Sequence, residues 1–386
     1  MKKNGFSTRC IHEAEDPEDT ESGDVIAPIN LTTTFAKKSL DEIDKGYVYS
    51  RTSNPTRDKL ERKIASLENG DYGLAFASGM AAEQSVLMSL LENEDHVLAF
   101  DDLYGGTKRL FDQVMTKFGL EFDYVDATVP KNISENIKEK TELIWLESPT
   151  NPLMKLSDIE KISKIAHEND VKVVVDNTFA TPYFQKPLEL RADVVVHSLT
   201  KYLGGHSDVV GGAVVTNDDE VYKKVKFNQN AVGAILSPFN SWLVMRGLKS
   251  LKPRMETHEK NAKKLATYLE EHPKAREVYY PGLESHPQHE LARKQMEGFG
   301  GMLSFDIEGG LNEAKKFVEN LDIFHLAESL GGVESLAEIP AVMTHASVPK
   351  EKREKIGIKD NLIRLSIGIE EPEDLKKDLK SAFEEL

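Results

Sequence analysis

The feature that most constrains this 386-residue chain is a regular alternation between short apolar runs and helix-like segments. The apolar runs are GLAFAS (73–78), HVLAF (96–100), EFDYV (121–125), LIWLES (143–148), VKVVVDN (171–177) and ADVVVHS (192–198). Strands that alternate with helices form βαβ units, in which the parallel strands are buried on both faces. The alternation therefore predicts an α/β fold with a mainly parallel central sheet.

The segments on either side of this region have a different character. Residues 1–57 contain an acidic patch (13–24) and little periodicity, which predicts an N-terminal arm. Near the other end, GMLSFDIEG (301–309) and NLIRLSIGIE (361–370) alternate with period two, as antiparallel strands with one covered face do. We therefore expect a large domain over 58–246 and a smaller α+β domain over 247–386.

Two helical details are also predicted. Ser157 and Glu160 have the spacing of a capping box for a helix over 158–169. The segment 241–273 has the pattern of one long or broken helix.

Composition excludes several classes of protein. The formal charge of −16 disfavours nucleic acid and anionic membranes as partners. Cys10 is the single cysteine, so no internal disulfide can form, and no uncharged run is long enough to span a bilayer. His286 and His289 lie in a polar loop without a third ligand, so we expect no metal. The cytoplasm is the expected location.

Three polar residues follow the carboxyl ends of predicted strands. Asp176 ends one strand, Asn151 follows another, and Lys201 lies shortly after a third. Ligands of open α/β sheets bind at this edge, so the three side chains are expected to face one crevice. Taken singly, the lysine could be a helix-end cation and the aspartate a turn or cap former. Together they match a pyridoxal phosphate (PLP) site, where a lysine holds the cofactor and an acid lies near the pyridine nitrogen.

A PLP site also needs a phosphate cradle. Gly79 and Met80 lie where a strand meets a helix, and the free N–H groups of a helix start favour an anion. Ser198 and Thr200 add hydroxyl groups near the lysine. Many strand–glycine–helix junctions only make a tight turn. The dinucleotide motif G-x-G-x-x-G and the P-loop motif are both absent, which disfavours a nicotinamide-dependent oxidoreductase.

Two further residues are candidates for ligand contact. Tyr104 opens a helix after a strand, where its ring could stack on a planar cofactor or simply be half-buried at the surface. Arg364 lies on the strand face opposite Ile363, Leu365 and Ile367, away from the apolar core. A guanidinium group placed in this way suits two-point binding of a substrate carboxylate.

Seven motifs together resemble the Cys/Met-metabolism family of PLP enzymes, over nearly the whole chain. They are YSRTSNPT (49–56), FASGMAA (76–82), LYGGT (103–107), ESPTNP (147–152), the segment 173–212 around SLTKYLGG, the segment 327–347 beginning AESLGG, and LIRLSIGIE (362–370). The resemblance implies the PLP-dependent transferase fold of type I. Within the family, the chain is most similar to cystathionine γ-lyase and cystathionine γ-synthase.

The resemblance also implies roles for individual residues. Lys201 corresponds to the Schiff-base lysine and proton shuttle, Asp176 to the partner of the pyridine nitrogen, and Tyr104 to the stacking ring and acid or base. The phosphate contacts correspond to Gly79, Met80, Ser198 and Thr200. Tyr49 and Arg51 correspond to an arm that reaches the phosphate site of a neighbouring subunit, so shared sites in a homotetramer, a dimer of dimers, are expected.

The substrate side is implied in the same way. Arg364, Ser329 and Asn151 correspond to the group that binds the substrate carboxylate. Glu328 matches an acid of the cystathionine enzymes and could attract the far ammonium group, or it could be a solvated acid at a turn. Methionine-degrading members of the family carry a cysteine where this chain has Gly106, and this difference disfavours a methionine γ-lyase.

The resemblance implies γ-elimination of L-cystathionine to cysteine, 2-oxobutyrate and ammonia as the favoured reaction. Three alternatives stay open. They are cystathionine γ-synthase, which would join cysteine to an activated homoserine ester, a methionine or homocysteine γ-lyase, and a regulatory protein that only binds the cofactor.

Overall fold

The computed structural model describes residues 4–43, 45–346 and 348–386 of the chain. The strands are β1 (Tyr72–Phe76), β2 (His96–Phe100), β3 (Glu121–Val125), β4 (Thr141–Glu147), β5 (Lys172–Asp176), β6 (Val194–Ser198), β7 (Gly212–Thr216), β8 (Ala275–Tyr279), β9 (Met302–Ile307), β10 (His325–Leu326), β11 (Leu336–Glu338) and β12 (Leu362–Ser366).

The α-helices lie between and around these strands. They are α1 (Phe6–His12), α2 (Pro55–Leu67), α3 (Gly79–Leu90), α4 (Gly105–Gln113), α5 (Pro130–Asn136), α6 (Ile159–His167), α7 (Thr181–Phe184), α8 (Asp219–Val232), α9 (Pro238–Leu248), α10 (Leu251–Glu270), α11 (His289–Gln295), α12 (Leu311–Glu319), α13 (Lys350–Ile356) and α14 (Pro372–Glu384). None of these described helices is both long and apolar enough to cross a membrane.

The larger sheet of the described chain has seven strands in the order β1-β7-β6-β5-β4-β2-β3. All pairs from β6 to β3 are parallel, whereas β7 runs antiparallel to both of its neighbours. The predicted α/β fold with a mainly parallel sheet is therefore confirmed. Strand β7 is not among the expected strands, because its sequence GAVVT follows a glycine run that reads as a turn.

The smaller sheet has the strand order β10-β11-β12-β9-β8. The expected antiparallel strands are present: β9 and β12 are antiparallel neighbours, with Arg364 opposite Ser304. The expectation of a single covered face is wrong, because every residue of β9 and β12 is buried. One face packs in an apolar core with Leu303 and Ile363, and the polar face is covered by the rest of the chain, for example where Ser304 Oγ donates to Pro152 O at 2.7 Å.

Two helical predictions have different outcomes. The segment 241–273 is a broken helix, since α9 ends at Leu248 and α10 begins at Leu251. The capping box at Ser157 is wrong. Asp158 is the N-cap of α6 and its carboxylate accepts from Lys161 N, while Ser157 is fully buried before the helix starts.

The N-terminal arm is mostly irregular, but its helix α1 packs on α2. Lys63 of α2 is fully buried, pairs with Glu15 and donates to Cys10 O at 3.1 Å. This contact fastens the arm to the body of the chain. The division into an arm (1–57) and two domains (58–246 and 247–386) stays a proposal, and both of its limits fall inside helices, α2 and α9.

Candidate active site

A cavity of about 390 Å³ lies between the carboxyl edge of the large sheet and the small sheet. Most residues predicted for the site line it, namely Gly79, Met80, Tyr104, Asn151, Asp176, Ser198, Thr200, Lys201, Glu328, Ser329 and Arg364. Asp176 and Ser198 are the last residues of β5 and β6, so their position follows from the parallel sheet. Tyr49 and Arg51 are not among the lining residues.

Lys201 stands in the turn that follows β6, where its amine reaches across the cavity. Its Nζ donates a 3.0 Å hydrogen bond to Ser329 Oγ. Burial, followed by the nearby Arg364 guanidinium, lowers the pKa of Lys201 to about 8. A substantial fraction of this amine is therefore neutral near physiological pH, as a nucleophile or proton acceptor must be.

Asp176 is a carboxyl group at the end of β5 that lines the cavity. Its Oδ1 accepts from Thr178 N at 2.8 Å. Burial raises the pKa of Asp176 above its ordinary value, and the hydrogen bonds from Thr178 and the charges of His197 and Lys201 offset this only in part. A protonated ring nitrogen beside Asp176 would add a further charge that favours the carboxylate, and the two groups could then pair.

The start of α3 supplies an anion cradle. Ser78 is the N-cap, and Gly79 and Met80 are the first helical residues, whose N–H groups have no partner within the helix. A Cβ atom at Gly79 would lie 3.2 Å from Ser198 Cβ, so a side chain at this position would crowd the cradle wall. Thr200 is fixed by Gly211 N, which donates to its Oγ1 at 3.1 Å.

Arg364 is held by three groups on different segments. Its Nη1 lies 2.9 Å from Asn151 Oδ1 and 2.9 Å from Glu338 Oε1, and its Nη2 donates to Ser329 O at 2.7 Å. Ser329 has a φ of 96°, a conformation that non-glycine residues rarely adopt and that recurs at ligand sites. This backbone turns the Ser329 carbonyl to Arg364 while its hydroxyl accepts from Lys201.

Three buried acids of the site are missing from the sequence-based prediction. Glu338 pairs with Arg364, and Glu147 and Glu83 line the cavity. Glu147 accepts from Tyr104 N and from Asn151 N, both at 2.9 Å, and so connects the start of α4 to the loop after β4. One feature of the sequence could have identified these acids. Each lies near the start of a helix or in an apolar strand, where a buried charge without a partner is costly, so a partner elsewhere in the fold is expected.

Tyr104 lies at the N-terminus of α4 and is 37 % exposed. Burial of its hydroxyl raises its pKa, and the charge of Arg109 opposes this effect. A Cβ atom at Gly106 would overlap the Tyr104 ring, so the absence of a side chain there permits the present ring position. Glu328 is an exposed residue among those that line the cavity.

Tyr49 and Arg51 form a separate pair on the arm. The Cζ atom of Arg51 lies 5.7 Å from the centroid of the Tyr49 ring, and both residues are exposed. Their predicted contact with a neighbouring subunit involves a second chain, so it stays a prediction.

The residues of the cavity fit PLP. The helix start at Gly79 and Met80 suits the phosphate, Asp176 suits the ring nitrogen, and Lys201 presents a partly neutral amine. Among the described residues, no group of three or more His, Cys, Asp or Glu side chains could hold a metal ion. The Nδ1 of His289 is instead 2.8 Å from Pro281 O.

Comparisons with known proteins agree with this geometry. Cystathionine γ-lyase of Dictyostelium discoideum is 50 % identical over 379 residues, which are 98 % of this chain and 97 % of that protein. Cystathionine β-lyase of Lactococcus lactis subsp. cremoris (strain MG1363) is 54 % identical over 379 residues, 98 % and 99 % of the two chains. The crystal structure of cystathionine γ-lyase from Lactobacillus plantarum with L-serine has a TM-score of 0.96, 46 % identity and 99 % coverage of both chains. A family model described as Cys/Met metabolism PLP-dependent enzyme matches residues 7–384. The chain therefore belongs to the Cys/Met-metabolism family of PLP-dependent enzymes.

Proposed function

We propose that this PLP-dependent carbon–sulfur lyase acts on L-cystathionine by γ-elimination and releases cysteine, 2-oxobutyrate and ammonia. The observation that carries the proposal is the convergence of Lys201, Asp176 and Arg364 on one cavity. A small amino acid needs these three functions at once: a base for its Cα proton, a charge partner for the cofactor ring, and a cation for its carboxylate.

PLP, when bound, supplies an electron-accepting ring that stabilises negative charge next to the amino acid Cα. Asp176 would face the ring nitrogen, and the start of α3 would hold the phosphate. Lys201 would hold the cofactor through its amine and, once released, carry protons at Cα and Cβ of the substrate. Its pKa of about 8 suits both steps, since such an amine can take up and return a proton at neutral pH.

Arg364 would bind the substrate carboxylate. Its guanidinium is held by Asn151, Glu338 and the Ser329 carbonyl, so little rotational freedom is lost when an anion binds. Glu328 would meet the ammonium group at the far end of cystathionine, where its exposed carboxylate can attract a cation.

A second candidate is β-elimination of the same substrate, since relatives from Lactococcus lactis and Coxiella burnetii that are 52–54 % identical are named cystathionine β-lyase. Cystathionine has an amino-acid group at each end, so Arg364 and Glu328 could bind it in either direction. The direction decides which carbon–sulfur bond is broken. Synthesis of cystathionine from an activated homoserine ester and cysteine is the third reaction to test.

Product analysis separates the three reactions. Purified holoenzyme is incubated with L-cystathionine, and the 2-oxo acids are identified by mass spectrometry. We expect 2-oxobutyrate and cysteine. Pyruvate with homocysteine would overturn γ-elimination in favour of β-elimination, and turnover of only the homoserine ester with cysteine would establish the synthase. The Lys201→Ala variant is the control for non-enzymatic cleavage.

We also propose that the chain assembles as a homotetramer, a dimer of dimers with shared active sites. Large apolar side chains are exposed on the arm and on α8 and α9, including Val25, Leu31, Leu40, Phe227 and Phe239. Such surfaces are usually covered in an assembly. Sedimentation analysis tests the assembly, with a monomer as the contradicting result. The cytoplasm remains the proposed location.

A further inference from the structure

A third carboxyl group, that of Glu83, lies at the proposed cofactor cavity without an assigned role. Glu83 stands on the first turns of α3, is 3 % exposed and lines the cavity together with Asp176 and Glu147. Thr107 Oγ1 donates to its Oε1 at 3.0 Å. Its Oε2 is buried and has no hydrogen-bond partner in the described part of the chain.

The groups around Glu83 disfavour a negative charge on its carboxyl group when Asp176 is also ionised. The titratable groups that act on it are Asp176 at the end of β5, Glu147 at the end of β4 and Tyr104 at the start of α4. Over the described residues, no lysine, arginine or histidine forms an ion pair with Glu83. A buried carboxylate without a cation is costly, and a proton removes that cost.

Glu147 meets the same negative neighbours but differs in its hydrogen bonds. Burial and the charge of Asp176 also raise the pKa of Glu147 well above its ordinary value, but both of its oxygens accept backbone N–H groups, which oppose that effect, whereas Glu83 accepts only one hydroxyl group and has a free Oε2. Burial and then the charge of Asp176 raise the pKa of Glu83 well above its ordinary value. The effect is reciprocal, because an ionised Glu83 would equally disfavour the carboxylate of Asp176.

We propose that Glu83 is a positioning residue that remains a neutral carboxylic acid, so that Asp176 stays ionised beside the ring nitrogen of the bound cofactor. This inference rests on the proposed function, in which the cofactor ring lies next to Asp176. Glu83 does not touch the reacting carbons of the substrate; it acts through the charge of Asp176.

Infrared spectroscopy of the apoprotein at neutral pH tests the protonation directly. The wild-type protein should show the carbonyl stretching band of a buried carboxylic acid, and the Glu83→Gln variant should lack it. The Thr107→Val variant tests independently whether the band belongs to Glu83. Because this substitution removes the hydrogen bond to Glu83 Oε1, it should shift the band without abolishing it. A spectrum that neither substitution changes would overturn the proposal.

Cofactor binding tests the consequence of a neutral Glu83. Glutamine keeps a neutral acceptor for Thr107, whereas leucine removes it. We expect Glu83→Gln to bind PLP about as tightly as the wild type, because glutamine keeps both a neutral side chain beside Asp176 and the acceptor for Thr107, and Glu83→Leu to bind it less tightly. Equal weakening in both variants would show that a charge is required and would overturn the proposal. Glu259→Gln is the matched control: Glu259 is a partly buried acid on α10 with a raised pKa, outside the cavity lining.

The two readouts separate this inference from the proposed function. If the wild-type chain bound no PLP, the proposed function would fail, while the infrared band would still report the protonation of Glu83. If the chain bound PLP and the band were absent, only the role of Glu83 would fail.

Discussion

Lys201 donates a hydrogen bond of 3.0 Å to the hydroxyl group of Ser329, across the cavity between the two sheets. The backbone oxygen of the same serine accepts from Arg364 at 2.7 Å. The proposed base and the proposed carboxylate-binding cation therefore share one hydrogen-bond partner, a residue with an uncommon backbone conformation. The reaction geometry depends on how the small sheet is seated on the large one.

Lys201→Ala should abolish turnover and leave the fold intact, because no other amine is expected to hold the cofactor. After borohydride reduction, mass spectrometry of the wild-type protein should find the cofactor on a peptide containing residue 201. Lys224→Ala, which removes an exposed lysine of α8, is the control and should retain the adduct. An adduct on another lysine would contradict the assignment.

Reconstitution of the apoenzyme with PLP should become faster as the pH rises. Only the neutral amine is nucleophilic, and the pKa of Lys201 is lowered to about 8, so the rate should increase through pH 8 and level off above it. Stopped-flow absorbance measures this rate. In Arg364→Gln the midpoint should move to higher pH, because a cation that lowers the pKa of Lys201 is removed. A midpoint near that of an ordinary lysine in the wild type would refute the prediction.

Glu338→Gln should raise KM and destabilise the chain. Arg364 and Glu338 are both buried and lie 2.9 Å apart, and removal of one partner from a buried pair costs about 3–5 kcal/mol. Denaturant unfolding and steady-state kinetics measure the two effects. The exposed pair of Lys223 and Glu220 is the comparison, since Glu220→Gln should cost about 1 kcal/mol or less. Equal costs at the two sites would argue against the pair.

Gly106→Ala should impair catalysis through Tyr104. The added methyl group would overlap the ring, which must then move from its place at the cavity. We expect a decrease in kcat of about tenfold or more, in line with the cost of small displacements at an active site. A Tyr104→Phe, Gly106→Ala double variant gives the control, since the second change should have less effect when the hydroxyl is absent. An unchanged kcat in Gly106→Ala would contradict this view.

Arg51→Ala and Lys201→Ala variants should complement each other when mixed. If each site combines Arg51 of one chain with Lys201 of another, reassembly creates some sites that contain both residues. Partial return of activity after dissociation and mixing is the expected result. Mixed samples that stay inactive, although exchange of labelled subunits is observed, would count against a shared site.

Local sequence patterns predicted six of the seven strands of the large sheet and much of the candidate site. Parallel strands place their carboxyl ends at one edge, so Asp176, Asn151 and Lys201 could be assigned to one crevice before any contact was known. The period-two alternation around Arg364 likewise placed its side chain away from the apolar face. These features repeat over a few residues and need no knowledge of distant partners.

Only the tertiary structure decided which acids belong to the site. Glu83, Glu147 and Glu338 are separated along the chain from the partners that make their burial possible. The N-cap at Asp158, the antiparallel strand β7 and the burial of both faces of β9 and β12 also depend on contacts between distant segments. The energy of a buried charge is set by the groups that surround it in space, and periodicity along a sequence does not encode those groups.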